Sequence, residues 1–420
     1  MDPVDTGTTA FMLCCIIGLT LMIPGLALFY GGMVSVKSST NMMMMTFGSV
    51  AIVGVLWVLF GFSMVFGTSY GGFVGSFTEF AGMKDLLESQ TTISGLPISL
   101  FALFQALFAA ITVALISGAA ADRMKFGAWM LFAAVWAVLV YFPVAHWVFA
   151  FDGVVTEDSI GGWIANKLHA VDFAGGTAVH INAGAAALAV AIVLGKSAVF
   201  GQLRKPHNVP LTLLGAGLLW AGWYAFNGGS ALAAGDSASI VMVTTFVATC
   251  AATLAWLAVE KFKDGHVTGV GAASGAVTGL VAITPACGAV TPLGAIAVGA
   301  IAGAICIYAV GLKEKFGYDD SLDVVGVHLV GGVIGTLLIG FFASDGMPSA
   351  VSGVFYGGGF DQLWRQAVAA GAVLVYSFVV SFIIAFAIKK TMGIRISPEE
   401  EEKGIDSHTH RDSAYELEYI

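Results

Sequence analysis

Apolar residues in this chain recur in long stretches separated by short polar breaks. A helix needs ~20 mostly apolar residues to cross a ~30 Å hydrocarbon core. Eleven stretches meet that requirement, near 8–30, 41–66, 98–120, 127–149, 174–194, 209–227, 237–259, 267–284, 289–311, 324–343 and 365–390. The pattern predicts an all-α polytopic membrane protein with eleven transmembrane helices. A transmembrane barrel would show alternating segments of ~10 residues instead, and continuous runs such as Ala51–Phe66 contradict that. The first stretch reads as a retained span, because no small-residue cleavage site follows it.

Composition agrees with the pattern. Of 420 residues 58% are hydrophobic and 11% charged, against about 25% charged in ordinary soluble domains, so lipid is the expected solvent for most of the chain. The five cysteines lie in or beside spans, where Cys acts as a small apolar residue, and they form no recognisable metal or disulfide framework.

Charge then supplies an orientation. Of the 18 Lys and Arg residues, all but Lys84, Lys167 and Arg365 fall in one set of alternate loops or in the tail. The positive-inside rule therefore predicts an outside N-terminus and a cytoplasmic C-terminus. The net charge of −9 comes from loop and tail acids and gives no reason to expect nucleic acid. Past Lys389 the composition turns polar and acidic, dividing the chain into a transmembrane domain, residues 1–390, and a tail, residues 391–420. From composition alone that tail is either a solvated acidic segment or a docking element.

Ionisable residues at membrane depth are costly, so each is a functional candidate. His180 and His328 fall well inside predicted spans five and ten, and their surroundings echo one another. Asp172-Phe-Ala-Gly-Gly-Thr-Ala-Val-His180 opens the first and Asp323-Val-Val-Gly-Val-His328 the second. The two spans run in opposite directions, as expected if spans 1–5 and 6–10 are inverted-topology repeats with the functional residues near the midplane. Both aspartates precede helices, where a carboxylate caps free N–H groups, and capping is the favoured role of both; for Asp172 the sequence leaves stabilisation of a nearby cation open as well. The glycine-rich stretches are expected to let helices pack closely.

These blocks resemble the Amt/MEP/Rh ammonium transporter family, in particular its bacterial Amt branch. The resemblance is carried by Asp172–Asn182, Ile23–Gly32, Phe104–Ala109, Trp223–Ser230, Thr284–Gly288 and Asp323–His328, and by the tail from Gly393 through Asp406 and His410 to Tyr415. It implies that His180 and His328 are twin pore histidines and that Phe108 and Phe226 form a phenyl gate. It also implies a substrate vestibule at Phe108, Phe149 and Ser230, with Asp172, Phe104, Trp223 and Thr284 in support. Members usually carry Trp three residues after the histidine of span four. Here His146-Trp-Val-Phe149 puts Phe at that position, a poorer cation–π face. The resemblance further implies a multi-pass protein of the inner or plasma membrane, a homotrimer, and a tail that contacts neighbouring subunits and docks a PII-type nitrogen-signalling protein. No cofactor and no enzymatic chemistry are implied.

Ammonium and potassium share size and charge, so selection must rest on chemistry. Ammonium can lose a proton and enter an apolar pore as ammonia; potassium, facing a desolvation cost of order 20 kcal/mol, cannot. Aromatic faces and the Ser230 oxygen would hold the cation, and imidazoles, which donate through one nitrogen and accept through the other, would accompany ammonia inside. Methylammonium is the natural analogue for testing this. Competing readings are an ammonium sensor acting through its tail, conduction of another small neutral molecule such as carbon dioxide, and a haem-b electron carrier with the two histidines as axial ligands.

Overall fold

The structure is a computed structural model that describes residues 3–84, 86, 92–93, 95–155, 158–202 and 205–415. Backbone N–H and C=O groups find no partners in hydrocarbon, so apolar segments of this length satisfy them internally as helices. Among the described residues, ten helices are long and apolar enough to cross a membrane. They are α1 (Thr6–Met33), α2 (Val36–Phe66), α3 (Ile98–Ala120), α4 (Phe126–Phe149), α5 (Gly176–Leu194), α6 (Val209–Gly229), α7 (Asp236–Asp264), α9 (Pro292–Phe316), α10 (Val325–Phe342) and α11 (Asp361–Thr391).

The eighth predicted span is the exception. Its helix, α8 (Gly269–Ile283), has only 15 residues and gives way to turns from Thr284 onward, where Pro285 has no N–H to extend the ladder. Pro24 has a comparable effect in α1, which breaks at Leu21 because the Thr20 carbonyl has no N–H to receive at Pro24. Among the described residues of the connection between α2 and α3 are two small antiparallel hairpins, β1 (Ser69–Tyr70) with β2 (Val74–Gly75) and β3 (Thr92–Ile93) with β4 (Leu96–Pro97).

Four spans contain a widened, π-helical turn: Trp57–Gly61 in α2, Ala137–Tyr141 in α4, Gly176–Ile181 at the start of α5 and Val325–Leu329 at the start of α10. Such turns are rare and often mark functional positions. The last two carry His180 and His328.

The described part of the tail, up to Tyr415, packs on one end of the bundle. Ile394 and Ile396 exchange backbone hydrogen bonds with Lys125 and Arg123, and Arg395 donates to the Leu194 and Lys196 carbonyls at the end of α5. A short helix, α12 (Pro398–Lys403), begins with a capping box in which Ser397 and Glu400 satisfy each other's backbone N–H groups. Beyond it Asp406 accepts from the N–H groups of Thr40 (2.9 Å) and Asn41 (2.7 Å), His410 meets the Asn41 side chain at 3.0 Å, and Tyr415 accepts from Asn208 at 2.9 Å. On the same end the buried Arg123 guanidinium meets Asp319 at 3.1 Å, and Asp319 also accepts from the Ser197 N–H. The loops gathered here belong to the lysine- and arginine-rich set. Arg204, one of that set, lies outside the described residues.

Candidate functional site

The π-turns of α5 and α10 bring His180 and His328 together. Both side chains are buried, their Nδ1 atoms are 3.2 Å apart, and the rings stack with centroids 5.3 Å apart at 28°. Two glycines make this approach possible. Gly184 lies one turn after His180, and a Cβ there would come within 2.5 Å of the Leu329 backbone; Gly332 lies one turn after His328, and a Cβ there would come within 3.1 Å of the His180 Cβ. Each histidine is thus followed at the fourth position by a glycine that admits the other histidine's helix.

Two facing Nδ1 atoms cannot both donate, nor can two bare lone pairs face each other comfortably. One ring therefore carries its proton at Nδ1 and the other does not, which leaves one neutral Nε2 as an acceptor and the other as a donor. The Nε2 of His180 has no hydrogen-bond partner. A buried polar atom left bare in this way is an open position for a small polar guest.

The rings continue beyond the pair. His180 stacks on Trp223 at 5.4 Å and 19°, and the Trp223 indole N–H donates to Thr284 at 2.8 Å. Thr284 in turn donates to the Leu280 carbonyl and reaches the Asn227 side-chain oxygen at 3.4 Å. Phe226 stacks face to face on Phe108, centroids 4.0 Å apart at 15°. Phe104 and Phe149 flank Phe108 at 4.9 Å and 6.1 Å, Phe149 edge-on at 89°. Ser230, the residue after the last turn of α6, donates to the Phe226 carbonyl at 2.8 Å. Beside the pair lies a narrow cavity of about 10 Å³, lined by both histidines, by Trp223 and Phe226, and by apolar side chains including Leu26, Phe29, Ile111 and Leu115. That is about the room a single water-sized molecule needs.

Phe149 thus stands on the aromatic cluster, and Trp147 does not replace it. Trp147 points elsewhere, donating to the Phe73 carbonyl at 2.7 Å and packing on Trp163 and Tyr376. His146 is also fully occupied, with Nδ1 2.6 Å from the Val65 carbonyl and Nε2 2.7 Å from the Ser69 hydroxyl. It ties α4 to the β1–β2 hairpin.

Asp172 caps the π-turn of α5 as expected. Its carboxylate accepts from the N–H groups of Gly175 (2.9 Å), Gly176 (2.5 Å), Thr177 (2.8 Å) and Ala178 (3.2 Å), and from the Thr177 hydroxyl. The cradle closes around it because Gly175 adopts φ +109°, a conformation few other residues tolerate.

Asp323 does not cap α10. Its carboxylate is 2.7 Å from the Lys313 ammonium, and its own φ of +62° turns the chain just before the helix. The cap is Asp320, whose Oδ2 accepts from the Val325 N–H at 2.7 Å. Asp320 precedes His328 by eight residues, the same interval that separates Asp172 from His180. The repeated unit is therefore an acid, a histidine eight residues later and a glycine four beyond that. The sequence signal for Asp320 was this interval, which the nearer aspartate obscured.

Contact between the two imidazoles leaves no space for a macrocycle between them, which removes the haem reading.

The fold and this arrangement define an integral, multi-pass α-helical membrane protein in which two buried histidines meet beside a narrow, largely apolar cavity. A profile of the Ammonium Transporter Family matches residues 10–415, and the chain belongs to that family. An ammonium transporter from Mycobacterium bovis is 54% identical over 439 residues, covering 99% of this chain and 92% of the relative. One from Bacillus subtilis is 45% identical over 413 residues, covering 98% of each. Among solved structures, Candida albicans Mep2 has a TM-score of 0.87 at 33% identity, over 95% of this chain and 89% of the other. A sensor Amt protein has a TM-score of 0.88 at 29% identity, over 96% and 98%. The family is one of ammonium transporters, not enzymes.

Proposed function

We propose that this protein takes up ammonium by binding the cation against Phe108, Phe149 and Ser230, removing a proton, and conducting ammonia past the Phe108–Phe226 stack and along His180 and His328. The observation that carries the reading is the 3.2 Å contact between the two histidine Nδ1 atoms inside an otherwise apolar passage. A cation cannot afford that passage; ammonia can, because the pair offers it a donor and an acceptor. The pair also holds one shared proton, so it can pass on the proton that ammonium leaves behind. Phe149, with a weaker cation–π face than Trp, shares the hold on the cation with Phe104 and Phe108.

The charge distribution supports a cytoplasmic position for the end of the bundle that carries the tail. On that assignment the docked tail, tied down by Asp406 and His410, is a regulatory element. Its proposed partners are the neighbouring subunits of a homotrimer and a PII-type signalling protein.

The test is electrical. Proteoliposomes bearing the wild-type protein should pass an inward current on an ammonium pulse, and His180→Ala combined with His328→Ala should abolish it or lose discrimination against potassium. Unchanged current at unchanged selectivity in the double variant refutes the relay. The likeness to a sensor Amt protein favours a second reading, in which ammonium occupancy is signalled through the tail. Under that reading the wild type binds methylammonium without passing current.

A further inference from the structure

His180 and His328 lie between two acids, and only one of them is saturated. Asp320 is almost fully buried, at 1% exposure. Its Oδ2 holds the Val325 N–H, but its Oδ1, also buried, has no hydrogen-bond partner. A buried carboxylate oxygen is expensive to leave bare, so the position calls for a proton, a cation or water.

Its surroundings connect it to the passage. Val325, which Asp320 caps, is one turn of helix from His328, ~4.5 Å of rise. Tyr30, held by its hydroxyl on the carbonyl of the cavity-lining Leu115 at 3.0 Å, is within electrostatic reach of both Asp320 and Asp323. The other charged groups facing Asp320 are Asp323 and Lys313, which pair with one another at 2.7 Å, while the Lys313 ammonium also donates to the Asp320 backbone carbonyl at 3.1 Å. Tyr318 faces it from the preceding loop.

We propose that Asp320 is the proton acceptor on the tail side of the histidine pair, the counterpart of Asp172 in position but not in role. This rests on the proton-relay reading of the pair. An imidazolium N–H bond of the pair breaks and, through water in the passage, an O–H bond forms at Asp320 Oδ1. That proton then leaves to water at the tail end, and the carboxylate is restored.

The electrostatics fit an acceptor that releases as readily as it takes up. Burial, and then the nearby Asp323 charge, raise the Asp320 carboxyl from the usual 3.8 to about 6, against the pull of Lys313 and the Val325 and Val324 N–H groups. At neutral pH it is ionised and open to a proton; below about 6 it is already occupied.

The experiment measures ammonium-evoked current in proteoliposomes at fixed outer pH while the pH on the tail side is varied from about 7.5 to 5. Wild type should lose current as that pH falls through about 6. Asp320→Asn keeps an oxygen for the Val325 N–H, so its fold, checked by thermal melting and elution, should persist. Its current should fall at least ~10-fold and no longer respond over that window. Asp320→Glu, which restores a carboxylate, should recover the response. A wild-type current and pH profile in Asp320→Asn overturns the proposal, while the loss of current in the double histidine variant would leave the relay standing. Unchanged current in the double histidine variant removes the relay itself.

Discussion

At one end of the histidine pair Asp172 accepts five hydrogen bonds, four from backbone N–H groups and one from the Thr177 hydroxyl. At the other end Asp320, in the matching position and more deeply buried, accepts one, from the Val325 N–H. The first carboxylate is spent on structure: it replaces the missing helical partners of a whole turn and fixes where His180 sits. The second caps a turn with one oxygen and keeps the other free. Matched positions in two halves of a chain therefore need not carry matched functions, and the number of donors around an acid separates a scaffold from a reactive group.

The largest effect should come from Asp172→Asn. The amide cannot accept at its nitrogen, so two N–H donors, or two N–H donors and the Thr177 hydroxyl, lose their partner, at a cost of roughly 3 kcal/mol or more. Thermal unfolding in detergent should show a clear drop for Asp172→Asn and little change for Asp320→Asn. Equal losses would erase the distinction between the two acids.

A smaller effect is expected of Thr177→Val, which preserves shape but removes the hydroxyl donor to Asp172, at about 1 kcal/mol. If unfolding and ammonium current are both unaffected, the remaining donors hold the cradle without it.

A third acid extends the comparison to the surface. Asp406 caps the start of the helix at Thr40 and Asn41 from 366 and 365 residues away. Asp406→Ala should cost about 1 kcal/mol of tail docking and little of the bundle's stability. The expected sign is faster proteolytic removal of the tail at an unchanged melting temperature. A tail equally resistant in the variant would show that Arg395 and His410 suffice to hold it.

Much of this was legible in the sequence. His180 and His328 stood out because an ionisable group among so many apolar residues has few reasons to exist. Asp172 was readable as a cap from its place before a glycine-rich helix start. Asp320 was missed because Asp323, closer to His328, offered the same residue type, and only backbone geometry reveals that Asp323 turns the chain and pairs with Lys313. Neither the π-turns nor the short eighth helix left a periodic mark. A widened turn changes hydrogen bonding without changing the apolar composition, and membrane spans are apolar on nearly every face.

What the sequence determined by itself follows from solvent: apolar runs of span length must be helical in lipid, and scarce charge must sort to the ends. Tertiary structure alone decided which polar atoms meet. The 3.2 Å contact between the imidazoles, the indole of Trp223 on Thr284 and the bare oxygen of Asp320 depend on how segments far apart in the chain pack together. Hydrophobicity places a helix in the membrane but says nothing of its rotation or its neighbour, and those two quantities set every distance in the site.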